Sequence, residues 1–219
     1  MFVLQPTPEG DHNPFDTIEE EAAFYVSQMR AYQPDGLYYL NGWSYGGIVA
    51  FEVAQHLAVL GQQTAFLGIL DTGFVLTDFP SRLTYLRNRV RYGFQPEPFA
   101  RLQQVSRRVR LGPSAKIPPG SKHRRENVPS SSPAQELHAN YGRLRQYKPQ
   151  AYDGRVTFFR THQRAYVRLL RDPLWGWGKI ARRGVDVQDV PGNHHTMMVE
   201  PNVGELARKF RRCLCAAQD

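Results

Sequence analysis

The sequence predicts an α/β protein: a mostly parallel sheet flanked by helices, with a helical lid insertion. Three observations carry that expectation. Strand-like runs alternate with amphipathic stretches over residues 1–70, the order that builds parallel sheets. Residues 64–70 are almost continuously apolar, as a strand covered on both faces must be. The alternation stops after Asp71-Thr72-Gly73 and resumes at Gly154. That break marks an insertion of about residues 74–150 inside a single domain spanning 1–219.

Taken in order, residues 1–5 read as a short strand ended by Pro6, followed by a loop rich in Pro, Gly and Asp. Thr17-Ile18-Glu19-Glu20 has the form of a capping box, with Thr at the N-cap and Glu three residues on. Ile18, Ala22, Tyr25 and Met29 then recur at helical spacing to about Tyr32. Pro34-Asp35-Gly36 is a turn, residues 37–40 a strand, and 48–60 a helix with Gly61 as its C-cap. Beyond residue 74, Leu83, Leu86 and Val90 mark one helical face and Phe99, Leu102, Val105 and Val109 another. Residues 112–133 are rich in Pro and Ser and read as a mobile loop. Leu137, Tyr141 and Leu144 indicate one more helix, and this insertion is expected to cover the C-terminal edge of the sheet. Residues 154–160 read as a strand, 164–171 as a short helix ended by Asp172-Pro173, and 185–190 as the last strand. Pro191-Gly192-Asn193 turns the chain into His194-His195, and Val203, Leu206 and Phe210 line a final helix with Pro201 near its start.

Composition narrows the class. At 219 residues the chain is long enough for one substantial core. No apolar run approaches the roughly 20 residues of a membrane span, and the N-terminus lacks the basic and apolar regions of a signal peptide. Cys213 and Cys215 stand two apart on a predicted helix and do not face each other, which argues against a disulfide or a metal site. These features predict a cytoplasmic protein with no metal and no bound cofactor. Charge is uneven: residues 81–148 hold 15 Lys and Arg against three acids, and the remainder holds 13 against 17. The basic middle reads either as a solvated arginine-rich face or as a docking surface for an acidic partner. No nucleic-acid motif accompanies it, so neither nucleic acid nor a membrane is the expected partner. The oligomeric state is left open.

The densest chemical signal is Gly42-Trp43-Ser44-Tyr45-Gly46-Gly47. It follows a strand and opens an apolar helix, the strand–turn–helix context of the nucleophile elbow in α/β-hydrolases. A serine raised on so tight a turn needs small neighbours, and glycines flank it. The N–H of Tyr45 is then aimed at a developing oxyanion. Serine needs a base, and the base an orienting acid. The order in this fold is Ser, acid, His. Asp71 ends the strand that follows the elbow helix, and His194 leaves the turn after the last strand, so parallel topology brings all three to one sheet edge. Asp71 can also be read as a strand cap. Asp172 is the competing acid, although its place before Pro173 fits a helix terminator, and His195 is the neighbouring alternative to His194. His12, His56, His123, His138 and His162 read as structural or solvated.

Together these residues make the chain resemble the thioesterase domains of nonribosomal peptide and polyketide synthetases. The resemblance runs through residues 38–47 and Gly68-Ile69-Leu70-Asp71-Thr72. It resumes at Tyr147-Lys148-Pro149, at Gly154-Arg155-Val156-Thr157-Phe158-Phe159-Arg160, at Asp172-Pro173-Leu174-Trp175-Gly176-Trp177 and at residues 190–197. It implies an α/β-hydrolase fold with Ser44 as nucleophile, Asp71 as orienting acid and His194 as base. It also implies a substrate presented on the phosphopantetheine arm of an acidic acyl or peptidyl carrier, docked on the basic lid. Family members have further strands before residues 1–5, and the loop after one of them gives a second oxyanion N–H. No second donor is found in this chain. The rival expectations are therefore a stand-alone esterase or lipase, and a catalytically weak remnant acting as a binding module.

Overall fold

A computed structural model describes residues 13–74, 133–161 and 172–218. The predicted strand at 1–5, the helical faces at 83–109, the loop at 112–133 up to its last residue, which is helical, and the short helix at 164–171 lie outside the described residues.

Helix α1 spans Ile18–Tyr32 and begins at the predicted capping box: Thr17 Oγ1 accepts the Glu20 N–H, and Glu20 reaches back to the Thr17 N–H. Strand β1, Leu37–Trp43, leads into helix α2, Tyr45–Val59, and strand β2, Gln63–Leu70. Helix α3 spans Pro133–Gln146. Strand β3 is Val156–Thr161 and β4 is Val185–Val190. Helix α4, Asn202–Ala216, ends the described chain, and single 3-10 turns occupy Trp177–Lys179 and Thr196–Met198.

The four strands run in the order β1-β2-β3-β4, every pair parallel. Strand alternation sorts their side chains to two faces. Leu67 and Ile69 of β2 and Phe158 of β3 join α1 and α2 in one buried cluster, which includes Ile18, Phe51, Leu57 and Trp177. Phe66, Leu70 and Phe159 point the other way, onto Leu206 and Phe210 of α4. Helices therefore cover both faces, as the almost continuous apolar run of β2 requires. The α2 C-terminus closes with a Schellman pair: Gly61 N–H to Ala58 O at 3.0 Å and Gln62 N–H to Leu57 O at 2.9 Å. Gly61 makes this possible at φ +72°.

An aromatic cluster ties the end of β2 and the end of α3 to α2 and the Trp177 turn. Phe74, just after β2, and Tyr147, just after α3, have ring centroids 6.0 Å apart. Phe74 also packs edge-on against Phe51 of α2 at 5.7 Å and Trp177 at 4.5 Å. The Tyr147 hydroxyl donates to the buried Glu52 of α2, and the Trp177 indole N–H donates to Thr72 O at 2.7 Å.

Candidate active site

Two strand ends and one turn build the site. At the end of β1 the chain reverses through Ser44, whose backbone sits at φ 56°, ψ −128°, a region non-glycine residues rarely adopt. Neighbours without side chains permit the reversal. A Cβ at Gly42 would run into the Gly46 carbonyl, and one at Gly47 would come within 2.6 Å of Thr72 Cγ2. The Ser44 N–H is held by Leu70 O at 3.2 Å, so the turn hangs from the end of β2. Tyr45 opens α2, and its N–H, in the first turn, has no intrahelical acceptor.

Asp71 follows β2 directly, also at positive φ, 52°. Its N–H bonds Phe159 O of β3 at 2.8 Å. The carboxylate is buried, and its two oxygens have separate partners. Oδ1 accepts from the Thr161 N–H and the Thr161 hydroxyl, both at 2.8 Å. Oδ2 faces His194 Nδ1 at 3.1 Å.

His194 is delivered by the turn after β4. Gly192 takes φ 84°, and the Asn193 side chain organises the next three residues: Oδ1 accepts the N–H of His195 at 3.0 Å and of Thr196 at 2.9 Å. Trp43 fixes the imidazole from one side, its indole stacked at 5.0 Å and 24° with Nε1–H donating to His194 O at 3.1 Å. His194 Nε2 lies 3.0 Å from Ser44 Oγ. Because a carboxylate only accepts, Nδ1 carries the proton and Nε2 is left to accept the serine hydroxyl. Ser44, His194 and Asp71 thus form one continuous hydrogen-bonded chain.

The remaining sequence candidates fall elsewhere. Asp172 spends its carboxylate on its own turn, accepting from Leu174 N–H at 2.9 Å and Gly176 N–H at 2.8 Å. His195 stands edge-on to His194, ring centroids 5.2 Å apart. Burial, and then the neighbouring His194, lower its pKa against the opposing pull of Asp71. His56 pairs with Glu52 at 3.1 Å, and His138 is exposed on α3. His12, His123 and His162 lie outside the described residues. No group of metal-ligating side chains occurs among the described residues. Cys213 is half-buried and Cys215 exposed, both as free thiols. Sequence reasoning missed Thr161 and the stacking role of Trp43. A hydroxyl residue at the end of the strand beside Asp71 was the available signal for the first.

The thioesterase-domain family model matches residues 1–75, the stretch that holds the elbow and Asp71. Among solved structures, the NocB thioesterase domain in covalent complex with a fluorophosphonate nocardicin G analog is 27% identical. It superposes with a TM-score of 0.59 over 91% of this chain and 75% of that one. The chain is thus similar to thioesterase domains in sequence and shares their α/β-hydrolase fold. Curated proteins similar to this chain are large synthetases and synthases. The Penicillium rubens N-(5-amino-5-carboxypentanoyl)-L-cysteinyl-D-valine synthase is 33% identical over 117 residues, 51% of this chain and 3% of that protein. The Aspergillus terreus non-reducing polyketide synthase terA is 30% identical over 91% of this chain and 10% of that one. The Tapinella panuoides atromentin synthetase is 25% identical over 93% and 23%. The chain therefore spans under a quarter of the length of each of these relatives.

Proposed function

We propose that this domain releases an acyl or peptidyl chain from the phosphopantetheine thioester of a carrier protein, by hydrolysis or cyclisation through an acyl-enzyme on Ser44. The observation that carries the reading is the unbroken Ser44–His194–Asp71 chain, with contacts of 3.0 and 3.1 Å. His194 Nε2 takes the serine proton as Oγ attacks the thioester carbon. Asp71 holds the imidazole in the required tautomer and stabilises the imidazolium. The Tyr45 N–H faces the oxyanion of the tetrahedral intermediate. Collapse expels the thiolate, which takes the proton from His194. Water, or a nucleophile within the chain itself, then attacks the acyl-enzyme by the same base. Thiolate is a good leaving group, so acid assistance is less demanding than in amide cleavage.

The test is thiol release from a short acyl thioester by the purified chain, beside Ser44→Ala with its fold checked by circular dichroism. Release that disappears in the variant is expected. Equal release by a folded Ser44→Ala protein overturns the proposal, and faster turnover of simple oxygen esters with no benefit from a carrier replaces it with an esterase. Carrier docking on the basic segment rests on sequence charge. Reversing Arg107, Arg108, Arg124 and Arg125, which lie outside the described residues, is expected to weaken carrier-dependent turnover and flatten its salt dependence. Unchanged turnover and salt dependence refute the docking surface.

A further inference from the structure

Behind the elbow lies a set of buried polar groups that the triad does not touch. Glu21 of α1 is only 3% exposed, and an ionisable side chain that deep is sustained only by several donors. Its Oε2 accepts from Asn13 Nδ2 at 2.7 Å and from the Tyr45 hydroxyl at 2.8 Å. The phenol of Tyr25, one turn along α1, feels the charge of the same carboxylate. Burial, then the charge of Glu21, raise the pKa of both phenols far above its ordinary value, so both remain protonated donors. The guanidinium of Arg143, from α3, lies beside the Tyr45 hydroxyl and bonds Phe15 O at 2.7 Å and Asn13 O at 3.0 Å. The loop before α1, α1 itself, the elbow and α3 all meet here.

Tyr45 is also the residue whose N–H adjoins Ser44. The Ser44 backbone conformation belongs to a class that costs of order 1–3 kcal/mol, and it persists only where its surroundings over-determine it. One flank is fixed by Trp43 bonding His194 O. The other flank is fixed by the Tyr45 side chain reaching back to α1. An aliphatic residue at position 21 would fill space without the desolvation of a carboxylate. What the carboxylate adds is direction, because a hydrogen bond holds the phenol, and with it the first turn of α2, in a single orientation. We infer that Glu21 is a positioning residue, which through the Tyr45 hydroxyl fixes the peptide N–H facing the oxyanion. The inference rests on the acyl-transfer reading of Ser44.

The experiment measures thioester turnover per active site, with sites counted by stoichiometric fluorophosphonate labelling of Ser44. The proteins are the wild type, Tyr45→Phe, Glu21→Met, Glu21→Gln and the Tyr45→Phe/Glu21→Met double variant. Small misplacements of a reacting geometry cost up to about a hundredfold. Tyr45→Phe and Glu21→Met are each expected to lower kcat per labelled site about tenfold, with KM changed less than about twofold. The double variant is expected to be no slower than the worse single, because both remove one interaction. Glu21→Gln, whose amide oxygen still accepts from Tyr45, is expected to stay within about threefold of wild type. Unchanged kcat per site in Tyr45→Phe, or penalties that multiply in the double variant, overturn the inference and leave a cluster that only supports the fold. A wild type that neither labels on Ser44 nor releases thiol overturns the acyl-transfer reading, and the inference with it.

Discussion

Thr161 gives Asp71 two hydrogen bonds through one residue, and only the hydroxyl can be removed by mutation. Thr161→Val keeps shape and backbone but strips a donor from a buried carboxylate. Hydrogen bonds to charged groups contribute about 1.5–3 kcal/mol. If half of that is felt in the transition state, kcat falls roughly four- to tenfold with KM unchanged, and Thr161→Ser restores it. His195 predicts a pH effect on stability. Its pKa is lowered in the fold by burial, so below about 6.5 the unfolded chain binds a proton that the folded one resists. Stability from this group is present above that pH and lost as pH falls. Urea midpoints at pH 7 and pH 5 are expected to differ less in His195→Gln than in wild type. At this scale the sequence showed the three residues that meet, because chain order and strand ends predict a common sheet edge. It did not show Thr161 or the Trp43 stack, because which side chains touch across strands depends on register, and register is a property of the folded sheet.

At the scale of elements, the elbow tolerates least. A methyl group at Gly42 meets backbone, not a flexible side chain, so Gly42→Ala is expected to abolish Ser44 labelling and to lower the melting temperature markedly. Arg143 on α3 illustrates a second kind of dependence. Arg143→Met leaves the carbonyls of Asn13 and Phe15 without its donors, at about 1–3 kcal/mol for each buried group left unpaired. A fall in the chemical-denaturation midpoint without a change in slope would show it. Helix α1 was legible almost to the residue because its capping box is written in four consecutive letters. Strand ends were less so: β1 runs on to Trp43 and β3 begins at Val156. Pairing with neighbouring strands, not local composition, decides where a strand stops.

For the molecule as a whole, the parallel sense of the strands followed from the alternation of apolar runs and amphipathic stretches, while their order β1-β2-β3-β4 is set by pairing in the folded sheet. The sequence could not announce the buried polar networks, since Glu21, Glu52 and Arg143 look like ordinary surface residues in a one-dimensional reading. Those networks make the body sensitive to alkali. Burial, joined by neighbouring carboxylates, raises the phenols of Tyr25, Tyr45 and Tyr147 above their ordinary value of 10.0. Their contribution is therefore present below about pH 10 and lost above it, as the unfolded chain ionises and the folded one does not. Tyrosinate absorbance is expected to rise in two stages: exposed phenols such as Tyr32 ionise first, and the buried ones only together with loss of helix signal. Replacing Tyr25, Tyr45 or Tyr147 with Phe is expected to shrink the second stage; a loss from the first stage instead would contradict the burial of these rings.

Phe74 and Tyr147 stand ring to ring on the same aromatic floor, so the segment between them leaves and re-enters the body at nearly one point. Doubling the length of a loop whose ends are already held together adds only about 0.6 kcal/mol of closure entropy. A change of length between Phe74 and α3 therefore costs the body little, whereas α3 itself is bound to it through Arg143.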